Sequence, residues 1–128
     1  MKAKYAVLGM IACFGLGGAA VQGLQAQTKP PAYAIAEVVV SNQNAYAGEF
    51  LPPVRKSITD AGGKFLVAGG KTTSLQGTPP APRVVVVQWE NIDKAQQWWD
   101  SQARKDAFVV GEKYATFRNF LVEGVSSP

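Results

Sequence analysis

The sequence predicts an α+β domain of order β-α-β-β-α-β, a single antiparallel sheet with its helices on one face. Three observations predict it. Runs of β-branched and apolar residues stand at 33–40, 64–68, 83–89 and 117–122, each of strand length. Between the first two runs, and again between the last two, apolar residues recur at helical spacing. A chain of 128 residues, 47% apolar and 17% charged, is globular in composition and long enough for one core.

Tyr33 to Val40 is the first strand, apolar on both faces and interrupted only by Glu37. Asn42 or Asn44 caps the helix after it. In that helix Tyr46, Phe50, Val54 and Ile58 recur as an amphipathic stripe. Pro52-Pro53 falls inside that stripe. A proline lacks the N–H and crowds the preceding turn, so the helix must kink there or restart with Pro53 in its first turn. Ala61-Gly62-Gly63 ends it with a left-handed cap.

Lys64 to Ala68 is the second strand, with a bulge or bend at Gly69-Gly70 and Lys71 to Leu75 continuing extended. Gly77 to Pro82 is a proline-stiffened loop. The unbroken valines of Arg83 to Trp89 imply burial on both faces, hence a central strand. Asn91 caps a second helix in which Ile92, Ala95 and Trp99 share a face. Asp100-Ser101 breaks and re-caps it, and Ala103, Ala107, Val110 and Tyr114 point inward beyond the break. Phe117 to Val122 is the last strand. Right-handed crossovers order the strands 4-1-3-2, the ferredoxin-like arrangement, with the two most apolar strands at the centre. One sheet face then lacks helices, and a second copy of the chain is its simplest cover.

The chain opens on Met1-Lys2-Ala3-Lys4, and Tyr5 to Val21 continues without a charge. With the small residue at Ala26 these are the parts of a secretory signal peptide, cut after Ala26. The expected organisation is a signal peptide over 1–26, a linker over 27–32, the domain over 33–124 and a tail over 125–128. The product is expected outside the cytoplasm, periplasmic or extracellular, with no membrane contact after cleavage. Lys2, Lys4 and Cys13, the sole cysteine, leave with the leader, so the mature domain is close to neutral and has no thiol. It can form neither a disulfide nor a CxxC site.

The chain has no histidine, which excludes a Ser-His-Asp triad, a Cys-His dyad and imidazole-ligated zinc, copper or haem. No cofactor and no metal are expected. Arg55-Lys56 and Arg104-Lys105 are isolated pairs, too sparse to follow a nucleic-acid backbone.

A resemblance rests on several motifs in order: Tyr33-Ala34-Ile35-Ala36-Glu37-Val38, Ala45-Tyr46, Pro52-Pro53, Gly62-Gly63-Lys64-Phe65-Leu66, Gly69-Gly70, Arg83-Val84-Val85-Val86, Trp98-Trp99-Asp100-Ser101 and Phe120-Leu121-Val122-Glu123-Gly124. Over nearly all of 33–124 the chain resembles the domain-of-unknown-function family thirteen-thirty, within the dimeric α/β-barrel superfamily. The resemblance implies the ferredoxin-like fold and its pairing as a dimeric α/β barrel. That superfamily includes cofactor-free monooxygenases, lactone isomerases and haem-using enzymes. Two departures limit the carry-over. Where the family commonly continues Pro-Glu-Tyr after Ser101, this chain has Gln102-Ala103-Arg104, and where members often carry a histidine it has Glu112-Lys113.

Few residues are candidates for chemistry. Glu37 is a general base if it lines a dry cavity, or else half of a cross-strand pair with Arg83 or Arg118. Arg118 and Asn119 are adjacent in a strand, so at least one points inward, and an inward Arg118 would hold an oxyanion or carboxylate. Adjacent helical residues diverge by about 100°, so Trp98 and Trp99 cannot both face the core. Trp99 aligns with Ala95, which leaves Trp98 to wall a pocket or an interface. Tyr46 lies on the apolar stripe, and Gly69-Gly70 lacks the GK[ST] of a phosphate loop.

The expected function is binding of a small apolar or aromatic molecule in a cleft between sheet and helices, with Tyr46, Trp98 and Arg118 as its contacts. The alternatives are a cofactor-free monooxygenase- or isomerase-like enzyme using Glu37 and Arg118, and an interaction module without a pocket.

Overall fold

The structure, a computed structural model, describes residues 29–126. The expected leader and cleavage site, with residues 127–128, lie outside the described residues. Four strands form one antiparallel sheet: β1 (Ala32–Val40), β2 (Lys64–Ala68), β3 (Arg83–Trp89) and β4 (Ala115–Glu123). Their order is β2-β3-β1-β4, the predicted one read from the other edge. β1 pairs Ala36 with Val85 on one side and with Asn119 on the other, and Ala34 with Val87 and Leu121. Side chains alternate along each strand, so these residues and Val38 share one face. That face meets the helices in the core, where Tyr46, Phe50, Val54, Ile58, Ala95, Trp98, Ala107 and Phe108 are buried. Each large apolar side chain so buried contributes about 1.5–3 kcal/mol.

The first helix, α1, runs through three segments: Gln43–Ala45, a π-helical turn at Tyr46–Phe50, and Leu51–Asp60. Asn42 caps it by accepting from the Ala45 N–H at 3.1 Å. The α-helical ladder restarts at Leu51 with Pro52 and Pro53 in its first turn, as the sequence implied. The device is the wide turn. The Leu51 N–H donates to the Tyr46 carbonyl five residues back, which relieves the crowding a proline ring imposes on a tighter spiral. The whole stripe of Tyr46, Phe50, Val54 and Ile58 stays buried through it. At the far end Gly62, with φ +100°, donates to Thr59 while Gly63 donates to Ile58, a Schellman cap.

β2 departs from expectation in one detail. Its bulge falls between Phe65 and Val67, at Leu66, and not at Gly69-Gly70. Lys71 to Leu75 form no strand, because their would-be partner β3 begins only at Arg83. Asn91 caps the second helix, α2 (Ile92–Trp99), by accepting from Lys94 N–H. Ser101 caps the third, α3 (Gln102–Gly111), by accepting from Arg104 N–H.

Two assignments on these helices need correction. Trp98, not Trp99, is the buried tryptophan of α2. On α3 the buried stripe is Ala107, Phe108 and Gly111, whereas Ala103 is exposed and Val110 half-buried. The reason is Gly111: a Cβ there would come within 2.5 Å of the Phe50 ring, so the bare glycine lets α1 and α3 close on each other along that line.

Candidate functional site

A cavity of about 270 Å³ lies between the sheet and the helices. Its origin is local. The inward residues of the central strand include Ala34 and Ala36, which are too short to fill the space beneath α1 and α2. The walls come from Val85, Val87, Leu121 and Phe117 on the sheet and from Tyr46, Phe50, Val54, Trp98 and Trp99 above it. For scale, a dry apolar cavity of roughly 150 Å³ accepts benzene, so this one has room for a larger flat molecule.

Trp98 is 6% exposed, stacks on Trp89 at a centroid distance of 5.4 Å and donates its indole N–H to Ser57 Oγ at 3.1 Å. The Ser57 hydroxyl in turn donates to the Val54 carbonyl at 2.8 Å, which ties α2 to α1. Trp99 is half-buried beside it, with the Arg104 guanidinium 3.8 Å from its ring centroid. Both tryptophans therefore border the cavity, but Trp98 does so as a core residue.

Polar groups are few, and three of them, Arg83, Tyr46 and Arg55, lie near one another. Arg83 opens β3 and pairs with Val38, which puts it on the helix-covered face. Its guanidinium carbon lies 5.6 Å from the Tyr46 ring centroid. Its stem packs across Gly69, where φ is +79° and where any Cβ would strike the guanidinium. Arg83 Nε is buried and has no hydrogen-bond partner. An unmet buried donor costs about 1–3 kcal/mol. The other orphaned donor among the described residues, Trp89 Nε1, does not line the cavity. Burial pushes the Tyr46 hydroxyl above its ordinary pKa, and the charges of Arg83 and Arg55 pull against that rise. Arg55, Gln96 and Asn119 complete the polar lining.

The sequence model of the family described as "Domain of unknown function (DUF1330)" matches residues 31–125. The chain belongs to the DUF1330 family. No curated protein matches it. Among solved structures, a protein of unknown function from Rhodopseudomonas palustris superposes with a TM-score of 0.60 at 15% identity, over 78% of this chain and 85% of that one. A methylated form of the same protein gives a TM-score of 0.60 at 14% identity, over 76% and 82%. At such identity the likeness shows the fold that this DUF1330 domain shares with them and nothing of its ligand.

Within the DUF1330 domain, the remaining candidates fall on the other side of the sheet. Glu37 pairs with Val84 and Arg118, so its side chain leaves the helix-covered face. There Arg118 Nη2 meets Glu37 Oε2 at 2.8 Å and Nε meets the same oxygen at 3.0 Å. The Ala81 N–H donates to Glu37 Oε1 at 3.2 Å, and this bond, with Arg118, lowers the carboxyl pKa against the opposing effect of burial. Arg118 does not line the cavity, and neither does Glu37. Of the adjacent pair it is Asn119 that points inward. The ion pair foreseen for Glu37 is the one made with Arg118. Arg83, the other arginine in reach by sequence, belongs to the cavity, and the sequence reading missed that role along with those of Asn119 and Arg55. One signal was available: Arg83 shares its parity with Val85 and Val87 in a strand whose face is set by pairing.

Proposed function

We propose that this domain is an exported, dimeric binding module for a small, flat, largely apolar molecule held between sheet and helices. The observation that carries the reading is the cavity over Ala34 and Ala36, walled by aromatic and branched side chains. Ligand sites have this character: mostly apolar walls with a few convergent polar groups. Among the described residues that line it none is a carboxylate, and the chain has no histidine, so proton abstraction inside it lacks an obvious base. That favours holding a molecule over converting one.

Dimerisation is supported by the sheet face away from the helices. Val39, Val67, Phe120 and Val122 are each more than 40% exposed, and Val84 and Val86 lie between them. Exposed apolar side chains of this number, set around the Glu37–Arg118 pair, suit a partner surface. Export rests on the leader, and mass spectrometry of the protein recovered from its host should give an N-terminus at Gln27; an intact Met1 would contradict it.

Filling the cavity tests the binding reading. Ala36→Leu places three further carbons on its floor. Titration with a neutral naphthalene probe, read by tryptophan fluorescence, should saturate in the unaltered domain and lose that saturation in Ala36→Leu, with the melting temperature held. Equal binding by both proteins would put the ligand elsewhere.

A further inference from the structure

We propose that the bound molecule is an aromatic carboxylate, its anionic end met by Arg83 with Tyr46 and Arg55 beside it. The inference rests on the binding reading above and adds the chemical class. Arg83 lines the cavity, and no carboxylate among the described residues lies within ion-pair distance of it. The one acid that sequence placed within its reach, Glu37, is on the opposite face and engaged by Arg118 and the Ala81 N–H. The Arg83 guanidinium carbon lies over the Tyr46 ring and its Nη1 end against Gly69, while its Nε proton has no acceptor.

One edge of the planar Arg83 fork carries the unpaired Nε proton. Two oxygens in a plane match that edge, which is why arginine recognises carboxylates bidentately. Arg55 adds a second positive charge at the same end. Tyr46, kept protonated by burial, adds a donor and no negative charge. The rest of the lining is apolar and aromatic, apart from Gln96 and Asn119. A flat hydrophobic body with one carboxylate is complementary to both parts.

Naphthoate and its neutral isostere naphthamide separate the two layers of the argument. In the unaltered domain naphthoate should bind roughly tenfold or more tightly than naphthamide, the margin a charged hydrogen bond supplies. Arg83→Gln should erase that preference while naphthamide binding persists, and Arg118→Gln, on the other face, should leave both affinities unchanged. If Arg83→Gln fails to fold, added salt decides on the unaltered domain. Between roughly 50 and 500 mM sodium chloride, naphthoate affinity should fall while naphthamide affinity holds. Equal affinity for the two probes, a preference that survives Arg83→Gln, or one removed by Arg118→Gln overturns the inference and leaves the cavity reading intact. Failure of both probes to bind overturns both.

Discussion

At the scale of single residues, the side on which a side chain emerges decides its role. Trp98 is buried, stacked on Trp89 and bonded to Ser57, so it supports the fold as well as the cavity wall. Trp98→Ala should therefore cost about 3–5 kcal/mol in chemical denaturation, the usual loss for a truncated core aromatic. A change below about 1 kcal/mol would mean that this wall is not part of the core. Tyr46 was legible in the sequence because aromatic residues at helical spacing announce themselves, whereas Trp98 was singled out as the tryptophan off the core and is in fact the buried one. Which of Arg83, Arg118 and Asn119 face the cavity was left open by the sequence. A strand residue's face depends on pairing register, and a shift of one residue exchanges the faces. Register is a property of two strands, so no single strand reveals it. Sequence brought Glu37 and Arg118 together as neighbours in the strand order, but it could not say that they meet outside the cavity.

At the scale of elements, whatever is local was readable. The caps at Asn42, Asn91 and Ser101, the prolines in a first helical turn and the Gly62 cap depend on residues within one or two turns of each other. Features set by a neighbouring element were not. The bulge at Leu66 arises from how β2 meets β3. The buried stripe of α3 arises from the approach of Phe50 to Gly111, and a helix pattern read by itself assigned Ala103 and Val110 instead. Gly111→Ala tests that contact. Alanine is the better helix former by about 1 kcal/mol, yet its methyl group would meet the Phe50 ring, and overpacking typically costs about 1–3 kcal/mol. Net destabilisation is expected in thermal melts, and a stabilised variant would show that α1 and α3 have room to spare.

At the scale of the whole molecule, β-α-β-β-α-β order and sheet order were both legible, because strand count, helix placement and crossover handedness leave few topologies. The cavity was legible only as a cleft somewhere beneath the first helix. It lies over the short side chains of Ala34 and Ala36, and composition does not show which strand residues share a face. The same sheet has two faces: one against the helices and the cavity, and one carrying exposed valines, Phe120 and the Glu37–Arg118 pair. Light scattering of the mature domain at micromolar concentration should report about twice the monomer mass, with Phe120→Glu shifting it toward monomer. A monomer throughout would leave that face uncovered and contradict the dimer.

The division between faces also gives the most direct test of ligand binding. Methyl NMR of the mature domain, titrated with naphthoate, should move the Ala34 and Ala36 methyl resonances and leave those of Val84 and Val122 in place. Shifts confined to Val84 and Val122, or none at saturating probe, would contradict a ligand held between sheet and helices.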